Sequence, residues 1–408
     1  SPPSSALVAI GAERLPIATA PVATATRSIR RAALWTLLLS KLIAGWGVQW
    51  DIQWHVLIGR DSFWIPPHVM TYAGVAVAVI VSFGVLAWET LAARPEHVSG
   101  APVLWLLGLT GTRGFHLAAW GIGLTVLAAP IDDLWHRLFG LDVTLWSPPH
   151  LLGILGAVIN SLACLVIARE VYPEGSWARL TALVLTGAVL YGGLHLTVDP
   201  STRVAYLHGG VLFYTLAILS ALVLPLAHVP TARLSNSRWA PLTLLAVLIG
   251  LGLIGQQIAR KGFEVMQPVS VIEQEIAKDP TSPIAVATLM ARKEGVPAGQ
   301  TGGRRHLFAL WPALAMALVD ARRRPIAATL AYAAALFALL AWRLPSRPSL
   351  AAMAPTLPET LVALLLTLAA GLVAAYAARW LSNALAGGQV LNYDISSTAM
   401  RSREKVPV

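Results

Sequence analysis

The sequence predicts an all-α, polytopic membrane bundle of about ten transmembrane helices, and three observations predict it. Of its 408 residues, 56% are hydrophobic and only 12% charged, with a mean hydropathy of +0.66, which is far too apolar for a soluble enzyme. Apolar runs of roughly 20 residues recur along nearly the whole chain, and a bilayer accepts such runs as helices. Basic residues and many of the 15 Trp gather at the ends of these runs, as topology signals and interfacial aromatic belts do. The net charge of +10 therefore reads as membrane topology, with the lipid bilayer as partner and no nucleic acid. The single Cys164 excludes an internal disulfide and a Cys-rich metal site. No cleavable signal peptide is evident, and the missing initiator Met reads as processing or a trimmed start.

The elements follow in order. Residues 1–31 are rich in Ser, Pro, Ala and Thr up to the cluster Arg27, Arg30 and Arg31, and read as a flexible tail. The membrane bundle of 32–259 holds runs at about 32–55, 68–92, 111–136, 149–170, 179–198, 207–228 and 239–259. Segment 260–305 carries Pro268, Pro280, Pro283 and Pro297 between short amphipathic pieces such as Val271–Lys278, and reads as an extramembrane cap with a short helix or two. Residues 306–381 supply Ala/Leu-rich packing helices at about 306–320, 325–343 and 358–381, the first of them short. A polar tail occupies 382–408. The Lys/Arg bias places both termini in the cytoplasm.

One motif occurs twice. The first copy is Trp50-Asp51-Ile52-Gln53-Trp54-His55, then Gly59-Arg60-Asp61, then Trp64-Ile65-Pro66-Pro67-His68. The second is Asp132-Asp133-Leu134-Trp135-His136, then Gly140-Leu141-Asp142, then Trp146-Ser147-Pro148-Pro149-His150, with one extra residue inside it. Asp and His four apart share a helix face. The Pro pair starts the next helix, since Pro is tolerated in a first turn, and sets the second His where it points back across the hairpin. Asp51, His55 and His68, and again Asp132, His136 and His150, therefore form two sets of two His and one carboxylate. Such a set suits copper, non-haem iron or zinc. The first four helices read as a tandem repeat, and two helices between the copies put both on one membrane face. Asp133 lies about 100° round the helix from Asp132 and faces elsewhere.

Competing readings are bland. Asp and His at helix ends also cap helices, the Trp residues also serve as belts, and Asp61 and Asp142 read as turn formers. Ionisable groups in membrane segments are nevertheless functional by default, and the duplicated spacing favours a metal or proton site. His195, Asp199 and His208 form a possible degenerate third copy without its Trp and Pro landmarks. His116 reads as a buried hydrogen-bonding residue, while His97, His228 and His306 receive no role.

The spacing Asp-x3-His-x12-His of Asp51, His55 and His68 resembles that of copper ligands in the membrane-embedded C subunit of particulate methane and ammonia monooxygenases. Asp132, His136 and His150 are similar to that family's second set, Asn-x3-His-x13-His, with Asp in place of Asn. The resemblance covers about residues 45–155. It implies copper near the periplasmic face of a bacterial-type inner membrane, oxidation of a small apolar or inorganic substrate by O2, and partner subunits. The expected function is thus a copper-dependent membrane oxidoreductase, or a subunit of one. The alternatives are an ion- or proton-coupled transporter, and a non-catalytic subunit of a respiratory or photosynthetic complex in which the His and Trp residues dock pigments, quinone or haem.

Overall fold

A computed structural model describes residues 20–59, 62–93, 103–139, 146–198, 205–206, 208–282, 285, 288–289, 303–348 and 350–387. Residues 1–19 and 388–408, most of the two expected tails, lie outside the described residues. Nine helical segments among the described residues are long and apolar enough to cross a membrane. They are carried by α1 (Ala20–Leu57), α2 (Pro66–Trp88, prolonged by a π turn, Glu89–Ala93), α3 (Arg113–Phe139), α4 (Pro148–Val171), α5 (Trp177–Leu196), a broken crossing made of a 3₁₀ turn (Gly210–Tyr214), α6 (Thr215–Val223) and α7 (Pro225–Leu234), then α8 (Ala240–Met266) and two C-terminal helices. Between the last of these come the short surface helix α9 (Val271–Lys278) and the shorter apolar α10 (Leu310–Val319), which a 3₁₀ turn (Gly303–Ala309) precedes. The C-terminal pair is α11 (Pro325–Arg343) and α12 (Leu357–Leu385).

Local rules explain most boundaries. Pro66, Pro148, Pro225, Pro241, Pro325 and Pro358 stand in first turns, where a missing N–H costs nothing. Pro also drives the residue before it out of the α region. Ile65 (φ −64°, ψ 148°) and Ser147 (φ −70°, ψ 150°) are accordingly extended, and α2 and α4 begin in the same way. At α12 a capping box joins Thr356 and Glu359.

Three features differ from the sequence expectation. Helix α1 begins at Ala20, so residues 20–31 of the expected tail are helical. They are docked: Arg30, which carried only a topology signal in the sequence, is buried and ion-paired in two-pronged fashion with the fully buried Glu89, at 2.6 and 2.9 Å. Ahead of α3 lies an antiparallel hairpin, β1 (Val103–Leu106) with β2 (Leu109–Thr112), where only a loop was expected. Its two-residue turn, Leu107-Gly108, has positive φ at both positions, the geometry that suits strand twist. Helix α8 continues past residue 259 to Met266, because Trp50 and Trp54 of α1 pack on its last turns.

Helices α1 and α2 pack lengthwise as one hairpin, and α3 and α4 as another. Helix α8 lies against α1 and α5, and α12 against α6, α7 and α11. The core is apolar and small-residue rich, with Leu34, Leu37, Phe115, Ile167, Leu183 and Tyr191 enclosed. The end opposite the motif loops is tied by Arg31 to the Val171 carbonyl, and by Arg113 and Arg169 to carbonyls of Ala384 and Leu385. Helix α10 runs between the two ends. His306, just ahead of it, packs on His195 at the end of α5, while the Leu318 carbonyl accepts from Arg238 ahead of α8.

Candidate metal centres

The first centre is built where α1 ends and α2 begins. Asp51 and His55 share the last turns of α1, and Pro66-Pro67 sets His68 in the first turn of α2. Asp51 Oδ1 lies 3.6 Å from His55 Nε2 and 3.2 Å from His68 Nε2. The second centre repeats this at the α3–α4 turn. Asp132 Oδ2 is 3.3 Å from His136 Nε2, and Oδ1 is 3.4 Å from His150 Nε2. One oxygen thus serves both rings in the first centre, and the carboxylate straddles the rings in the second. In each triad one ligand atom per residue falls within 4.8 Å of the other two.

The carboxylate-to-imidazole separations fit a bound ion. Four ligands about 2.1 Å from a tetrahedral ion are about 3.4 Å apart, and the observed 3.2–3.6 Å brackets that value. Imidazole nitrogens and one carboxylate suit zinc, copper or iron, and leave coordination positions to fill. The N-terminal end of α2 adds positive potential beside Asp51, as that of α4 does beside Asp132. All six side chains are partly water-accessible, His55 most at 42%.

The two supports differ. Trp50 and Trp54 are buried against Phe263 of α8, Trp54 stacking on it at 5.8 Å. In the second centre the exposed Trp146 donates from Nε1 to the Thr197 carbonyl just beyond α5, at 3.0 Å. Trp64 is exposed, as a belt residue would be. Asp133 turns away and pairs with Arg137 at 2.8 Å. Asp61 and Asp142 lie outside the described residues.

Helix contact repeats along with the ligands. A Cβ on Gly74 would stand 2.5 Å from Ser40 O and 2.8 Å from Ala44 N; one on Gly156 would stand 2.6 Å from Gly121 O and from Thr125 N. Ser40 corresponds to Gly121, Ala44 to Thr125 and Asp51 to Asp132 at one constant offset. His68 corresponds to His150 and Gly74 to Gly156 at that offset plus the residue inserted in the turn.

The third cluster is not assembled in the described residues. Asp199 lies outside them, and His208 is exposed. His195 instead packs on Tyr191 (6.1 Å between ring centres) and His306 (4.8 Å), and Tyr191 in turn touches the enclosed His228 at 5.2 Å. The sequence reading also passed over Lys41, whose Nζ donates to Asn160 Oδ1, while Asn160 Nδ2 donates to the Ala118 carbonyl at 2.6 Å. A cation inside an apolar run was a usable signal for it. For the His228 group no local signal existed, since its members come from three separate stretches of chain.

No protein-family model, curated protein or solved structure matches the chain.

Proposed function

We propose that this chain is a membrane metalloprotein with two metal centres at one end of its bundle, Asp51/His55/His68 and Asp132/His136/His150, acting in a copper-dependent oxidoreductase or monooxygenase. One observation carries the reading: two hairpins distant in sequence bring the same three ligand types to the same 3.2–3.6 Å spacing. Matching ligands and matching helix contacts support an ancestral duplication of the α1–α2 hairpin as α3–α4. Copper, rather than iron or zinc, rests on the resemblance of the spacings to the copper monooxygenase subunit. So do the inner membrane, the periplasmic placing of both centres and the partner subunits.

The chain's own residues have definable parts. Asp51 and Asp132 supply the negative charge that balances a cation at a membrane face. The Pro-Pro turns hold His68 and His150 toward them. Trp50, Trp54 and Phe263 exclude water behind the first centre, while its His55 side stays open to an incoming molecule. A bound copper or iron ion would supply redox chemistry with O2 on a small apolar substrate.

Elemental analysis of the protein in native-like lipid tests this. Two metal ions per chain are expected, with one lost in His55→Ala and the other in His136→Ala. A folded wild type without stoichiometric metal overturns the reading in favour of transport. A Soret band turns it toward haem.

A further inference from the structure

The bundle holds a buried file of polar rings that neither triad uses. The crossing Gly210–Leu234 is broken, with Pro225 opening α7 and Pro230 inside it. Between these two prolines sits His228, fully enclosed. Its Nδ1 and Nε2 are both buried without a hydrogen-bond partner among the described residues. A neutral imidazole offers one donor and one acceptor, and the neighbours of His228 satisfy neither. Tyr191 of α5 and Tyr332 of α11 both pack on its ring, at 5.2 and 5.4 Å between ring centres. Toward the metal-centre end the file continues through His195, 6.1 Å from Tyr191, and His306, 4.8 Å from His195, both half-buried. Toward the other end, Thr329 stands one turn before Tyr332 on α11. Its Oγ1 is buried without a partner among the described residues.

Depth sets this file across the bundle. Helix α5 runs toward the metal-centre end, and Tyr191 stands about 8 Å short of its last residue, Leu196. Helix α11 starts at the opposite end, and Tyr332 stands about 10 Å past its first residue, Pro325. His228 bridges the two, and both helices are candidate membrane spans. We propose that His306, His195, Tyr191, His228, Tyr332 and Thr329 form a proton-conducting path through the membrane. Every station carries a group that both donates and accepts. A proton arriving at one imidazole nitrogen leaves from the other, and a hydroxyl oxygen takes one proton as it gives up its own. One H⁺ therefore crosses while no bond to carbon changes and no oxidant or reductant is consumed. Ring separations of 4.8–6.1 Å are steps that a direct hydrogen bond or one bridging water spans. Chains of ionisable side chains facing a bundle interior are the material of proton relays, and a broken crossing enclosed by protein is where ion sites lie. None of these side chains is a carboxylate, so the file has no fixed charge to hold a sodium or potassium ion, and the proton is the ion it suits.

The test is proton flux through the full chain in liposomes. An outward potassium gradient with valinomycin makes the lumen negative and draws protons in, and pyranine in the lumen reports the pH. The wild type should acidify the lumen faster than protein-free liposomes do. His228→Phe should lower that excess about tenfold or more. Tyr332→Phe, which loses one hydroxyl and keeps its ring, should lower it as well and covers the case of a misfolded His228→Phe. Tyr376→Phe, on an exposed face of α12, should leave it unchanged. Wild-type flux no faster than in protein-free liposomes overturns the proposal, and that comparison needs no variant to fold. Undiminished flux in His228→Phe overturns it too, because the protons would then cross elsewhere.

Discussion

Arg30 and Glu89 show what one buried pair does for a membrane helix end. Each is enclosed, and each compensates the other's desolvation. Glu89→Ala leaves an uncompensated guanidinium and is expected to cost about 3–5 kcal/mol. Arg30→Leu with Glu89→Leu should recover most of that loss, because a buried pair is often replaceable by apolar residues. Thermal unfolding of the three variants in nanodiscs measures both effects. Asp320, between α10 and α11, makes a separate prediction. Burial alone would raise its pKa, but the Arg322 guanidinium at 3.0 Å and backbone N–H groups outweigh it and hold the carboxyl below its ordinary value. The stability it contributes is therefore present above the unfolded carboxylate value of about 3.9. It is lost as pH falls through the lower folded value. Wild type should thus lose more melting temperature between pH 7 and pH 3 than Asp320→Asn does; equal losses would show that the pair contributes nothing.

At the scale of the element, the two candidate metal centres depend on how closely two helices approach. Gly156 abuts the Gly121 carbonyl and the Thr125 backbone, so a side chain there meets backbone that cannot rotate aside. Gly156→Leu is expected to splay α3 from α4, destabilise by about 1–3 kcal/mol and lower metal occupancy at Asp132/His136/His150. The first centre, on its own hairpin, should keep its metal. Gly45→Ala is the matched control, because nothing lies within 4 Å of the added carbon. Loss of metal from both centres in Gly156→Leu would mean that the hairpins do not act as separate units. The Pro-Pro starts of α2 and α4 were legible in the sequence because Pro restricts its own φ and its predecessor's ψ. The β1–β2 hairpin was not, since Leu107 is a poor advertisement for a left-handed turn.

For the whole molecule, contacts at both ends define its polarity. Arg31 reaches the end of α4, and Arg169 the end of α12, so the described chain starts and finishes at the end opposite the metal centres. Among the described residues nine helical segments are long and apolar enough to cross a membrane, and α10 is a shorter apolar helix beside them. Cysteine scanning tests the polarity cleanly, because Cys164 is buried. Cysteines at Ser62 and Phe139, both exposed near the triads, should react with an impermeant thiol reagent from the same side of the membrane. One at Glu174, beyond α4, should react only from the other. Labelling of Ser62 and Phe139 from opposite sides would break the shared face on which the two-centre reading depends.

What the sequence determined by itself was whatever depends on neighbours along the chain. Apolar run length set the membrane spans, proline placed the helix starts, and spacing at four residues put Asp51 with His55 and Asp132 with His136. Even His68 and His150 were legible, because a tight turn between adjacent helices leaves few places for the second His to point. Tertiary structure decided what depends on helices distant in sequence. It set His195 beside His306 and Tyr191, docked Arg30 on Glu89, joined Lys41 to Asn160, and packed His228 against Tyr191 and Tyr332. The reason is physical: helical periodicity states which face a residue occupies, but which other helix meets that face is chosen by the packing of the entire bundle.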